Sequence, residues 1–100
     1  MTFSLRAVNG TDKPVTLTFR NAQRFDFVVR DRAGQEVWRW GAGRMFAQAI
    51  GSETIPPSGM LAYTATVEKK LSPGVYTVTG LIPAQEGSLA ASVVVNVEPR

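Results

Sequence analysis

The sequence predicts an all-β fold in which two antiparallel sheets of short strands pack face to face. Apolar and polar residues alternate along most segments of the 100-residue chain, which is the pattern of half-buried strands. Glycine, proline and asparagine recur between these segments at a spacing of roughly ten residues, as in antiparallel sandwiches. No segment shows convincing helical spacing of its apolar residues. We therefore expect about seven strands in a single domain over residues 1–100.

The first two predicted strands alternate most regularly. Their apolar positions are Phe3, Leu5 and Ala7, followed by Val15, Leu17 and Phe19. Asn9-Gly10 stands between them, and both residue types tolerate left-handed backbone, so we expect the chain to turn back there. Asp12 and Pro14 close the predicted turn.

The third and fourth strands are predicted at residues 25–31 and 36–40. The third strand carries Phe25, Phe27 and Val29 on one face and Asp26, Val28 and Arg30 on the other. Asp31-Arg32-Ala33-Gly34 supplies the turn that connects the two strands. Together these segments predict a second antiparallel pair.

The last three strands are predicted at Leu61–Val67, at residues 75–80 (VYTVTG) and at Leu89–Val97. Pro56-Pro57-Ser58-Gly59 marks the turn before the first of them. Residues 41–54 form the longest stretch without alternation. We expect no strand there, and the stretch has room for a helical turn at residues 44–49.

A tyrosine follows a proline-glycine turn in the segment Leu71-Ser72-Pro73-Gly74-Val75-Tyr76. Its hydroxyl is within reach of the upstream backbone, which is the arrangement of the tyrosine corner in immunoglobulin-like sandwiches. An ordinary half-buried strand tyrosine is the alternative.

The composition argues against catalysis. The chain has no cysteine and no histidine, which removes thiolates, the commonest metal ligand and the commonest general base. A serine nucleophile would need one of three lysines, all in turns or exposed runs. Asp26 and Asp31 are better explained as solvated or ion-paired groups, and Gly41-Ala42-Gly43 lacks the lysine-serine pair of a phosphate loop. We expect no enzymatic activity, no metal and no cofactor.

The charge pattern gives little reason to expect nucleic acid or a membrane as a partner. The net charge is +3, and no long basic run follows a phosphate backbone. The N-terminus lacks the apolar block of a signal peptide, and no segment approaches the ~20 apolar residues of a membrane span. We expect a soluble, cytoplasmic protein, although a domain cut from a longer secreted protein would look the same.

Both tryptophans lie in the segment WRWGAGRMFAQ, residues 38–48. Trp38 and Trp40 are two residues apart, so a continuing strand places both on one face and Arg39 on the other. One interpretation is that the indoles fill the core. In the other, at least one indole is exposed beside Arg44 and anchors a partner, or stacks on carbohydrate.

Three segments together resemble a known family. They are Phe25-Asp26-Phe27-Val28-Val29, Gly34-Gln35-Glu36-Val37-Trp38-Arg39-Trp40 and Arg44-Met45-Phe46-Ala47-Gln48-Ala49. The pattern resembles that of the BsuPI family of bacterial intracellular proteinase inhibitors, with Gly41 where the family usually has serine. The resemblance extends more loosely over nearly the whole chain.

The resemblance implies an immunoglobulin-like antiparallel β-sandwich that inhibits an intracellular subtilisin-type serine protease without chemistry of its own. Such inhibitors usually present a rigid loop, and subtilisin-like enzymes favour a large apolar side chain in the specificity pocket. We expect Met45 or Phe46 to fill that pocket. The expected protease contacts are Arg44, Met45, Phe46 and Gln48, supported by Trp38 and Trp40. The alternative is that Phe46 closes the end of the sandwich and Gln48 bonds to backbone.

Two further possibilities stay open. The turn Ser52–Gly59, stiffened by two prolines, is a second candidate surface. A non-inhibitory interaction module, such as an adhesion or scaffold domain, is the rival function, because this fold serves many roles. We expect a monomer or a weak dimer.

Overall fold

The computed structural model of the chain describes residues 1–67 and 69–99. Over these residues the chain forms eight strands and no helix. The strands are β1 (Thr2–Val8), β2 (Val15–Phe19), β3 (Asp26–Arg30), β4 (Glu36–Arg39), β5 (Gly51–Ile55), β6 (Met60–Thr66), β7 (Gly74–Ile82) and β8 (Leu89–Val97). Their pairings are all antiparallel, so the predicted all-β antiparallel fold is confirmed.

The larger sheet has four strands in the order β4-β3-β7-β8. β7 and β8 pair along their whole length, from Gly74 opposite Val97 to Ile82 opposite Leu89. β3 lies inside the sheet, and its neighbouring valines Val28 and Val29 are both fully buried although they point to opposite faces. β3 is therefore a central strand of this sheet that is buried on both faces.

The remaining strands form two ribbons, β1 with β6 and β2 with β5. The first two predicted strands are thus confirmed as strands, but they pair with β6 and β5 and not with each other. Neither Asn9 nor Gly10 adopts left-handed backbone, so that part of the prediction is wrong. Left-handed backbone occurs instead at Ser58, in the segment that faces Asn9.

The Asn9 side chain organises the junction between the two ribbons. Its Nδ2 donates to the carbonyl oxygens of Lys13 at 2.7 Å, Ile55 at 3.0 Å and Pro56 at 3.2 Å. Its Oδ1 accepts from the backbone N–H of Thr11 at 3.0 Å and from the Thr11 hydroxyl at 2.6 Å. Because Asn9 is buried, these bonds compensate the loss of water at its amide.

β5 corrects the expectation that residues 41–54 hold no strand, and no helical turn forms at residues 44–49. The sequence of β5 does not show the apolar-polar alternation of a strand, because its half-buried positions are Gly51 and Glu53, neither of which is apolar. Glu53 is tolerated there because Arg24 donates to its carboxylate at 3.2 Å. An ion pair thus replaces the apolar contact that the strand pattern would have shown.

The core lies between the four-stranded sheet and the two ribbons. Its buried residues come from both layers and are Leu5, Ala7, Leu17, Phe19, Phe27, Val29, Ile55, Ala65, Val67, Tyr76, Val78, Ile82 and Ala84. Gly80 of β7 faces the Leu5 side chain of β1 across the core. A Cβ at Gly80 would lie 3.0 Å from Leu5 Cδ1, so a side chain there would push the layers apart.

Three loops meet at one end of the larger sheet, because β3 and β8 begin where β4 and β7 end. They are residues 20–25, 40–50 and 83–88. The third loop is fixed to β2, since the Gln85 N–H donates to the Thr18 carbonyl and the Thr18 N–H to the Glu86 carboxylate, each at 2.8 Å. The second bond lowers the pKa of Glu86 below its usual range.

Of the two alternatives for Tyr76, the structure has the tyrosine-corner contact. Tyr76 is buried, and its hydroxyl donates to the Ser72 carbonyl oxygen at 2.7 Å. Gly74, with φ of +152°, supplies the backbone freedom between the two residues. The bond fixes the entry into β7, the strand that pairs with both β3 and β8.

Replacing Tyr76 by phenylalanine should therefore lower the free energy of unfolding by about 0.5–1.5 kcal/mol, because the ring stays buried while the hydroxyl bond is lost. Tyr63→Phe is the matched control, since its hydroxyl makes no hydrogen bond within residues 1–67 and 69–99. Urea denaturation of both variants measures the difference. An equal effect of the two substitutions would contradict a specific role for the Tyr76 hydroxyl.

Candidate functional site

The segment that connects β4 to β5, residues 40–50, is the longest of the three clustered loops and is called the β4–β5 loop below. It starts with a tight turn, in which the Ala42 N–H donates to the Arg39 carbonyl and the Arg44 N–H to the Gly41 carbonyl, each at 3.2 Å. Gly43 has φ of +76°, which only glycine adopts without strain. The turn directs residues 44–50 away from the sheet.

Trp40 supports this loop. Its indole stacks on the Phe25 ring with centroids 4.3 Å apart, and Phe25 stacks in turn on Tyr63 at 4.9 Å. The Trp40 N–H also donates to the Phe27 carbonyl at 2.9 Å. Burial raises the pKa of Tyr63 above its usual range, consistent with an apolar setting for the stack. Trp40 is thus held in place by both its ring and its backbone.

Two loop residues pack onto Trp40. The Arg44 guanidinium carbon lies 4.3 Å from the centre of the indole, and Arg44 Nε donates to the Trp40 carbonyl at 2.7 Å. The Phe46 ring lies 5.9 Å from the indole at 44°. Phe25 and Arg44 both lie over the indole within 4.3 Å of its centre, so both occupy ring surface on which a sugar would have to stack. This geometry argues against the carbohydrate interpretation.

Asp26 ties the start of the loop to β3. Its Oδ1 accepts from the Gly41 N–H at 2.9 Å, and its Oδ2 accepts from Arg39 at 3.0 Å. Arg39 also donates to Glu36, and these two carboxylates, Glu36 first, raise the pKa of its guanidinium. A Cβ at Gly41 would lie 3.0 Å from Asp26 Oδ2, so a side chain at this position would crowd the carboxylate.

The far half of the loop is tied to its neighbour. The Ala22 N–H, in the loop of residues 20–25, donates to the Ala47 carbonyl at 2.9 Å. Arg24 in the same loop lies over the Phe19 ring at 4.5 Å and pairs with Glu53, just after the β4–β5 loop ends. The loop is therefore anchored at Gly41, Arg44, Phe46 and Ala47, and the backbone between these points is constrained.

The four predicted contact residues have different settings. Met45 is 97% exposed and stands between two anchored neighbours, Arg44 and Phe46. Arg44 is exposed but folded back on Trp40, whereas Phe46 is half-buried. Gln48 is exposed, and its amide makes no hydrogen bond within the described part of the chain. Of the four, Met45 is the side chain most fully presented to a partner.

The two tryptophans differ in their contacts with the loop. Both are half-buried against the core, so neither the filled-core nor the exposed-anchor interpretation holds completely. Trp38 lies opposite Val29 in the sheet, away from the turn. Trp40 alone of the pair contacts Arg44 and Phe46.

The second candidate surface, Ser52–Gly59, divides into two parts. Residues 52–55 belong to β5 and pair with β2, so they are not a loop. Pro56–Gly59 is a tight turn closed by the Gly59 N–H on the Pro56 carbonyl at 2.9 Å, and it faces Asn9 at the junction of the ribbons. It contributes no residue to the three clustered loops.

Sequence analysis missed the parts played by Phe25 and Asp26 in shaping the site. Asp26 was expected to be a solvated or ion-paired surface group. The ion pair, to Arg39, is present, but Asp26 is buried and also accepts from the Gly41 N–H. Asp31, the other acid considered, accepts from the Ala33 and Gln35 N–H groups and forms the turn before β4. A signal existed for Asp26, since an acid beside two phenylalanines at a strand start is unusual unless it is paired.

Among residues 1–67 and 69–99, no three His, Cys, Asp or Glu side chains lie together as metal ligands would. The same residues include no helix with the length and apolar character needed to cross a bilayer.

The comparison with protein families decides the affiliation of the chain. Residues 1–87 match the family described as intracellular proteinase inhibitor, BsuPI. The chain belongs to the BsuPI family. The resemblance read from the segments around Phe25, Trp38 and Phe46 is thereby confirmed. The description implies a protease as the partner, and the matched residues include the whole β4–β5 loop and its supports but end before β8. No curated protein matches the chain.

Neutralising the buried Asp26 carboxylate of this BsuPI chain should weaken the hydrogen bonds that hold the start of the β4–β5 loop. Asp26→Asn leaves one acceptor oxygen for the Gly41 N–H and Arg39, so we expect a loss of about 1–3 kcal/mol in the free energy of unfolding. Glu36→Gln, which alters an exposed partner of the same arginine, should cost less than about 1 kcal/mol. Chemical denaturation of both variants tests this. Equal losses would show that burial of Asp26 is unimportant.

Proposed function

We propose that this BsuPI chain inhibits a subtilisin-type serine protease by binding its active-site cleft with the β4–β5 loop, and that Met45 enters the specificity pocket. The family description supports a proteinase inhibitor. The observation that supports the loop is the exposure of Met45, which is 97% accessible although its neighbours on both sides are packed against Trp40.

An apolar side chain so exposed gains free energy when a partner covers it. Burying a methionine side chain contributes roughly 1.5–3 kcal/mol, and an unbranched thioether adapts to pockets of different shape. Phe46 is the weaker candidate for the pocket, because its ring already packs on Trp40 and would have to leave that contact to enter an enzyme. Phe46 therefore holds the loop while Met45 is recognised.

The anchoring of the loop favours tight binding. Four attachments hold it: Gly41 to Asp26, Arg44 to Trp40, Phe46 to Trp40 and Ala47 to Ala22. A loop that is already ordered loses less conformational entropy on docking than a free one. The same ordering resists the rearrangement that a protease needs to cleave a bound segment and release it.

Inhibition should be measurable directly. The full chain, titrated into a bacterial subtilisin with a small chromogenic substrate, should lower the rate with a saturable dependence on inhibitor concentration. A chymotrypsin-like enzyme and a cysteine protease, assayed in parallel, measure the selectivity for the subtilisin type. Unchanged activity of several subtilisin-type enzymes at micromolar excess would contradict the proposal and favour a non-inhibitory interaction module.

The role of Met45 is tested by Met45→Ala. The folded state should keep its stability, since the side chain touches almost nothing, while the inhibition constant should rise about thirtyfold, as expected for a central contact worth about 2 kcal/mol. Met60→Ala, at a 54% exposed methionine at the start of β6, is the matched control and should leave inhibition unchanged. Phe46→Ala should reduce stability and inhibition together. Full inhibition by Met45→Ala would exclude this residue from the contact.

A further inference from the structure

We propose that two copies of this chain associate through β8, pairing their edge strands antiparallel about a two-fold axis at Val93 and joining the two four-stranded sheets into one. β8 is the outer strand of its sheet and pairs only with β7 among the described residues. A strand in this position presents a row of N–H and C=O groups that a further strand can satisfy.

β8 lacks the features by which edge strands usually avoid such pairing. It is nine residues long, LAASVVVNV, and contains no charge, no proline and no glycine. Val93 is 55% and Val94 68% exposed, and these neighbours point to opposite faces, so each face of the strand has an exposed valine near its middle. At the other edge of the same sheet, β4 has four residues, carries Glu36 and Arg39, and is irregular where it pairs with β3.

The absence of charge along β8 permits a second copy as the occupant. Each copy carries a net charge of +3, which opposes association, but pairing along β8 places no like charges opposite each other. Beyond its C-terminal end, Glu98 would lie opposite Ser88 of the second copy, a hydroxyl that can donate to the carboxylate, and not opposite another acid.

The two-fold register at Val93 pairs every residue of both strands. Leu89 then lies opposite Val97 of the second copy, Ala91 opposite Val95, and Val93 opposite its own equivalent. The paired length is about 30 Å. A groove of about 290 Å³ adjoins the inner face of β8, lined by Phe3, Leu5, Val78 and Val93 among others, so the new apolar row would continue an apolar surface that already exists.

Mass measurement in solution tests the association. By analytical ultracentrifugation of the full chain, we expect a concentration-dependent rise from 10.8 kDa toward twice that value. Val93→Lys places like charges opposite each other at the axis and should raise the dissociation constant at least about tenfold. Val8→Lys, at a 69% exposed valine of β1, is the matched control and should leave it unchanged. Circular dichroism establishes that both variants fold.

Two further experiments test the register. Val93→Lys and Val93→Glu should each be monomeric alone and should form a dimer when mixed, because opposite charges then meet at the axis. The chain has no cysteine, so Val93→Cys should give a covalent dimer on oxidation where Val8→Cys does not. A chain that remains at the monomer mass up to roughly 1 mM, a mass above the dimer, or a dimer unaffected by Val93→Lys would each overturn the proposal.

Discussion

The stack of Trp40 on Phe25, together with the bonds of Asp26, is the constraint on which the arrangement of the candidate site depends. It joins the end of β4 to the start of β3 by ring contact at 4.3 Å and by the Gly41 N–H on a buried carboxylate at 2.9 Å. The turn after Trp40 contributes two backbone hydrogen bonds of 3.2 Å of its own, and Arg44 Nε adds a bond of 2.7 Å to the Trp40 carbonyl. The Trp40 indole also lies 4.3 Å from the Arg44 guanidinium carbon, so this one side chain contacts both the core and the loop.

The sequence predicted the parts of the fold that follow from burial on one face. β1, β2, β3, β7 and β8 alternate clearly, and each was expected within a few residues of its observed bounds. The pairing of β1 with β6 and of β2 with β5 was not predictable, because alternation specifies a face but not a partner. β5 was missed for a different reason: Arg24 neutralises Glu53 on the half-buried side, and the partner lies 29 residues away in sequence.

The candidate site, like the fold, was only partly predictable from the sequence. The segment from Trp38 to Gln48 was identifiable because its residue types are unusual, with two indoles, two arginines and two glycines in a short stretch. Which residues of this segment hold the loop and which are exposed depends on contacts that form only when the chain folds. Phe46 and Met45 are adjacent and both apolar, yet Phe46 packs on Trp40 while Met45 is 97% exposed, a difference that residue type alone does not predict.

The edge strand and the β4–β5 loop occupy opposite sides of the larger sheet. β4 and β8 are its two outer strands, with β3 and β7 between them, so the loop that follows β4 lies roughly 14 Å across the sheet from the β8 edge. Pairing through β8 would therefore leave the β4–β5 loop of each copy uncovered. The residues that match the family include the β4–β5 loop and end before β8. A dimer built in this way would carry two protease-binding loops on one continuous sheet, and binding at one loop would not require the other copy to separate.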